Sequence, residues 1–130
     1  MPFRYNMEGN SMAKRASARH IRDMAAFLPP KHTNTDSWTL VSKETVGAEK
    51  VKLFLTEMRP GAKTDWDRHV GAEHAYFILS GRGKAYVENQ TFDLEPNVCL
   101  FIPEDANHRL DVIGNETMRF VVLLAPPPQA

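Results

Sequence analysis

From residue 36 onward the chain breaks into short segments rich in β-branched and aromatic residues, each closed by a turn signal, and that punctuation admits few folds. The segments are 37–43, 50–58, 74–80, 84–89, 98–102, 108–113 and 118–124, with a shorter piece at 91–94. Between them stand Arg59-Pro60-Gly61, Gly81-Arg82-Gly83, Glu95-Pro96-Asn97, Pro103-Glu104-Asp105 and Gly114-Asn115. Recurrence at roughly 8–12 residues is the spacing of sandwiches and barrels. Val51, Leu53 and Leu55 alternate with Lys52, Phe54 and Thr56, the period-two pattern of a strand with one buried face. No helix of ordinary length fits after residue 36, so the expectation is an all-β domain over 36–130 behind an N-terminal arm over 1–35.

At 130 residues the chain has room for one core and not for a two-domain cofactor enzyme. Its 42% hydrophobic and 25% charged residues exclude a disordered or fibrous class. The longest apolar runs, such as 120–128, are about half the roughly 20 residues a bilayer span needs, and the N-terminus is basic and polar, so the expectation is a cytoplasmic protein that does not engage a membrane. The single cysteine, Cys99, excludes an intrachain disulfide and a Cys-based zinc knuckle, and it reads as a buried small hydrophobe. Any metal must therefore use histidine and carboxylate.

The formal net charge is zero, and nothing global attracts nucleic acid. Within residues 1–31, however, Arg4, Lys14, Arg15, Arg19, Arg22 and Lys31 stand against Glu8 and Asp23 alone. The arm reads as a solvated tail, with docking on an acidic body or partner as the alternative. Residues 1–11 read as a loose terminus, and Met12 makes a second plausible start. Residues 16–28 could form a short helix with Ile21, Met24, Ala25 and Leu28 on one face, stopped by Pro29-Pro30.

Of five histidines, His20 and His32 lie in the arm and the other three fall where strands begin. Asp67 and His69 are two apart, which on an extended segment points both side chains to one side; His74 opens the next apolar strand and His108 opens another. The four can converge if those strands are neighbours. Imidazole and carboxylate are the usual ligands of first-row divalent metals, and a few of them with open positions describe a catalytic site. Tyr76, two residues beyond His74, shares its face and could line a pocket or donate a proton; Tyr86 and Phe101 could be pocket or core, and Trp66 reads as an outer-surface or subunit-interface residue. Asp65 reads as a surface charge.

Gly61-x5-Asp67-x-His69-x4-His74-x6-Gly81 resembles the first motif of the cupin superfamily, Gly-x5-His-x-His-x3,4-Glu-x6-Gly. Asn97-x5-Pro103-x-Asp105-x2-His108 matches the second, Gly-x5-Pro-x-Gly-x2-His-x3-Asn, in spacing. The chain departs from the pattern at Asp67 for the first His, His74 for the Glu, Asn97 and Asp105 for glycines, and Val112 for the final Asn. The resemblance implies a double-stranded β-helix, or jelly-roll barrel, with metal ligands at Asp67, His69, His74 and His108. Small members of that family pair through sheet edges and arms, which implies a homodimer using part of residues 20–58.

A three-His set leaves the full charge on the metal and favours small, anionic, chelating substrates. Iron is the expected ion, and with it such a centre implies a dioxygenase, the leading reading; with Mn, Ni, Zn or Co the alternative is isomerase, lyase or decarboxylase chemistry, and copper is a further possible ion. A non-catalytic module that holds a ligand or metal is the alternative from a different class.

Overall fold

The computed structural model describes residues 15–127; the expected loose terminus and the second start at Met12 lie outside them. Eight strands run in order: β1 (Thr35–Val41), β2 (Lys52–Met58), β3 (Glu73–Ser80), β4 (Gly83–Val87), β5 (Gln90–Leu94), β6 (Cys99–Ile102), β7 (His108–Val112) and β8 (Met118–Ala125). A five-stranded sheet in the order β1-β2-β8-β3-β6 faces a three-stranded sheet in the order β5-β4-β7, and every pairing is antiparallel. The all-β expectation holds.

Alternation decides which residues enter the barrel. Along β3, His74, Tyr76 and Ile78 are buried while Phe77 and Leu79 face out; along β8, Met118, Phe120, Val122 and Leu124 are buried. Register then grades the interior from end to end. Met58 pairs with Met118 and Ile78 with Phe120, all fully buried or nearly so, and these fill one end. Lys52 pairs with Leu124, and His74 with both Leu124 and Ile102, at the other. His74 thus enters the interior beside the buried hydrocarbon of Ile102 and Leu124.

Turn chemistry explains two of the motif departures. Asn97 and Asp105 stand where the family has glycine, and both adopt left-handed backbone, with φ of 76° and 66°. Asn and Asp are the side-chain-bearing residues that tolerate this region best, so the substitutions keep the turns. Gly81 has φ of 78°, and a Cβ there would collide with the Thr117 carbonyl and the Met118 backbone. At that position neither Asn nor Asp could serve.

The arm differs from expectation. Instead of a helix over 16–28 there is one 3-10 turn at Ile21–Asp23, with none of its residues buried. An isolated turn offers no packed face to sustain a helix of that length. Farther along, Phe27 exchanges two 2.9 Å backbone hydrogen bonds with Ser37 and sets its ring edge-on against Phe54 at 6.2 Å. Lys31 reaches Asp67 at 3.1 Å. Residues 27–32 are therefore a strap on the barrel and not a solvated tail. The segment after β1 leaves the strand at Ser42, whose hydroxyl and Thr45 form a capping box for a four-residue helix, α1 (Lys43–Val46).

Two further expectations are corrected by the alternation of β6, where Leu100 and Ile102 take the inward positions. Cys99 is exposed and not a buried hydrophobe, and Phe101 is 56% exposed, neither pocket nor core.

Candidate metal centre

His69, His74 and His108 meet. One ligand atom from each of His69, His74 and His108 lies within 4.8 Å of the other two, and ring centroids are separated by 4.4, 5.0 and 5.6 Å. Each comes from a different part of the fold. His74 is on β3 of the larger sheet, His108 opens β7 of the smaller one, and His69 sits in the connection between β2 and β3. That connection is drawn across to β7 by paired backbone bonds: Thr64 N–H to the Leu110 carbonyl, and Asp67 and His108 to each other, all at 2.9 Å. Asp105 pins the loop from the other side, its N–H donating to the His69 carbonyl at 3.2 Å and its carboxylate accepting the Gly71 N–H at 3.3 Å.

The donor chemistry fits a divalent transition ion, since such a ligand must be an unprotonated imidazole. Burial pushes His74 down to about 3, with the neighbouring His69 and His108 adding to the effect and Asp67 opposing it. His69 is lowered for the same first reason, partly countered by Asp67. Both rings are neutral at pH 7. The His108 Nδ1 lies 3.1 Å from the Ala106 carbonyl, the kind of contact that fixes a ligand ring in place.

Asp67 stands beside this cluster without joining it. Its Oδ1 accepts from Lys31 Nζ at 3.1 Å and from the Arg68 N–H at 2.9 Å, and its Oδ2 lies 3.6 Å from His69 Nε2. Burial opposes its ionisation, but those two hydrogen bonds, with His69 and the Lys31 ammonium beside it, outweigh it and hold the carboxyl below its usual range.

His69 and His74 line a cavity of about 240 Å³. Phe54, Phe120, Val122, Leu124 and Leu110 give it apolar walls, and Tyr76, Ser37, Thr56 and Lys52 add polar groups. Tyr76 is stacked on Phe120 at 5.4 Å and edge-on to His74 at 5.8 Å. Burial, then the charge of Asp67, pushes its phenol up, so it stays protonated. Tyr86 points away from the cavity and lies 4.0 Å from the Arg109 guanidinium, which also covers the exposed Trp66. Asp65 is exposed.

The strap supplies what sequence reasoning missed. Phe27, Pro29, Pro30 and His32 line the cavity, and His32 also lines a narrower cleft shared with Asp67, His69 and His108. Burial lowers its pKa, with Asp67 opposing. No spacing rule links residue 32 to the motifs; only the path of the strap does.

The cupin domain model matches residues 54–124. The chain belongs to the cupin family. Among curated proteins, this cupin is 32% identical over 106 residues to the polyketide synthase protein CurC of Streptomyces cyaneus, covering 82% of this chain and 69% of that one. It is 23% identical over 103 residues to the tetracenomycin polyketide synthase protein TcmJ of Streptomyces glaucescens, covering 79% and 69%. Among solved structures, the polyketide cyclase RemF of Streptomyces resistomycificus superposes with a TM-score of 0.77 at 22% identity, over 89% of this chain and 83% of that one. A predicted oxalate decarboxylase of Thermotoga maritima gives 0.73 at 16% identity, over 83% and 97%. These likenesses establish the jelly-roll fold. Among the described residues no helix is long and apolar enough to cross a membrane.

Proposed function

We propose that this cupin is a metal-dependent enzyme that closes a ring in a small polyketide-like substrate, a chain of ketones and enols, by condensation without oxidation. The observation that carries the proposal is the convergence of His69, His74 and His108, two of which line a largely apolar cavity. Its 32% identity to a polyketide synthase protein supports the substrate class.

A divalent ion held by His69, His74 and His108 would supply a Lewis acid that acidifies the carbon between two carbonyls. The chain's own residues do the rest. Phe54, Phe120 and Val122 give a flat carbon skeleton a dry surface to lie on and hold the reacting carbons close. Tyr76, kept protonated by burial, offers a hydrogen-bond donor to an oxygen on which negative charge develops. Closing the ring forms one carbon–carbon bond, and the acceptor carbonyl oxygen leaves as water after dehydration.

The same three-His set suits Fe(II), and a dioxygenase is the second reading. One experiment separates them. Protein purified without a metal-affinity tag is analysed for metals, loaded in turn with Zn, Fe, Mn, Ni and Co, and incubated with a 3,5,7-trioxooctanoate thioester, in which C2 can close a six-membered ring on the C7 carbonyl, while oxygen uptake is recorded. Cyclised product without oxygen consumption is the expected result. Oxygen uptake confined to the iron form would replace cyclisation by dioxygenation, and bound metal without turnover of any substrate would leave a binding module.

A further inference from the structure

The strap holds one group that the cyclisation chemistry does not use. His32 comes just after Pro29-Pro30 and is fixed by its N–H to the Pro29 carbonyl at 3.3 Å, by a backbone bridge to Thr64, and by Lys31 beside it, which is ion-paired to Asp67. Its Nδ1 is the buried side-chain polar atom without a hydrogen-bond partner among the described residues. A neutral imidazole carries one proton, and a buried N–H without an acceptor is rarer than a bare lone pair, so the proton belongs on Nε2. Since His32 lines the cavity and Nδ1 is the enclosed nitrogen, Nε2 is the ring atom left to face a ligand.

We propose that His32, as the Nε2–H tautomer on a strap that borders the three-His centre, donates a hydrogen bond to a third oxygen of the substrate, beyond the two that a metal would chelate. The proposal rests on the chelation reading and narrows it. The preferred substrate then carries at least three oxygens spaced along one chain, as a triketone does, and a simple diketone leaves His32 unused. A neutral donor suits this task because it strengthens as charge builds on the oxygen and needs no proton exchange. Its placement on the strap also makes discrimination a property of residues 27–32 and not of the barrel alone.

Two measurements test it. In the metal-free protein, long-range nitrogen–proton correlation of the ring nitrogens of 15N-labelled histidine should show His32 as the Nε2–H form at pH 7; an Nδ1–H form or an imidazolium would overturn the proposal. In the zinc-loaded protein, calorimetry should show 2,4,6-heptanetrione binding about tenfold more tightly than acetylacetone, a margin lost in His32→Phe and largely kept in His32→Gln, whose amide nitrogen can stand in for Nε2. An unchanged margin in His32→Phe overturns the role of His32 while sparing the chelation reading. Failure of the wild-type zinc form to bind either ketone overturns both. Zinc content of His32→Phe should equal that of the wild type; a fall to the level of His69→Ala would make His32 a ligand and overturn it as a donor.

Discussion

Asp67 and His108 exchange both of their backbone hydrogen bonds, at 2.9 Å each, across an isolated antiparallel bridge that ties the connection between β2 and β3 to β7 beside the histidine cluster. Residues paired in this way project their side chains to the same face, so the carboxylate arrives next to the imidazoles. There it is claimed by Lys31 and the Arg68 N–H, with Oδ2 left 3.6 Å from His69 Nε2. The residue in the family's first ligand position is thus held beside the three-His cluster.

Removal of an orienting partner costs about 10–100-fold in metal affinity, and removal of a ligand costs more. Asp67→Ala should fall in the first class, and His69→Ala, His74→Ala and His108→Ala in the second. Calorimetric zinc titration of the four variants checks the order. A His74→Ala protein with full stoichiometry and affinity would mean that the exchange of Glu for His at this position is not a ligand swap.

Acid should destabilise the metal-free protein before any carboxylate titrates. His74 is 3% exposed and its pKa falls from 6.5 to about 3 on folding. Between those values the unfolded chain binds a proton that folded His74 does not, so stability is fully present above pH 6.5 and declines as pH falls toward 3. His69 and His32 shift in the same direction. Asp67 also has a lowered pKa, and its contribution is lost only below the usual carboxylate range. Urea denaturation of the apo form at pH 7 and pH 5 should show the lower midpoint at pH 5, with the difference shrinking in His74→Gln. Equal midpoints would show that the folded rings accept protons freely.

Most of the barrel could be read from the chain because its information is local. Period-two alternation and turn residues placed every strand, and His69, His74 and His108 meet in three dimensions because His74 and His108 open strands and His69 lies in the connection that leads into β3. The strap was not legible. Its contacts, Phe27 on Phe54 and Lys31 on Asp67, span residues far apart in sequence, and a Pro-Pro stop says where a helix ends without fixing the path of the chain beyond it. Cys99 and Phe101 were misplaced because the strand β6 has just four residues, too few for the eye to fix its phase.

Asn97 tests the turn argument. Its φ of 76° suits Asn and Gly and strains other side chains. Asn97→Gly should leave stability within a few tenths of a kcal/mol, whereas Asn97→Ala should cost about 1 kcal/mol. Thermal unfolding of the pair decides, and an unaffected Asn97→Ala would mean that backbone conformation does not explain the departure from glycine.

The outward phase of β6 is checked by thiol chemistry. Cys99 is exposed, so one equivalent of Ellman's reagent per chain should react in the native protein. A homodimer built on residues 20–58 would leave that reactivity intact. A native thiol that reacts only after denaturation would mean that another surface covers the outer face of β3 and β6.

Tyr76 separates chemistry from packing most sharply. Its ring is held by stacking on Phe120 at 5.4 Å and by the edge contact with His74, and both contacts survive in Tyr76→Phe. The substitution deletes a hydroxyl and little else, so thermal stability and zinc affinity should stay near wild type. A donor aimed at developing negative charge is a different matter, because its bond tightens as the charge grows. Loss of such a donor typically lowers kcat by about 100-fold with a much smaller change in KM. Equal kcat values for wild type and Tyr76→Phe on the 3,5,7-trioxooctanoate thioester would reduce Tyr76 to a wall of the cavity. A fall in zinc content would instead show that the hydroxyl supports the histidines, and the rate loss would then have to be measured at saturating metal before any of it could be assigned to the substrate.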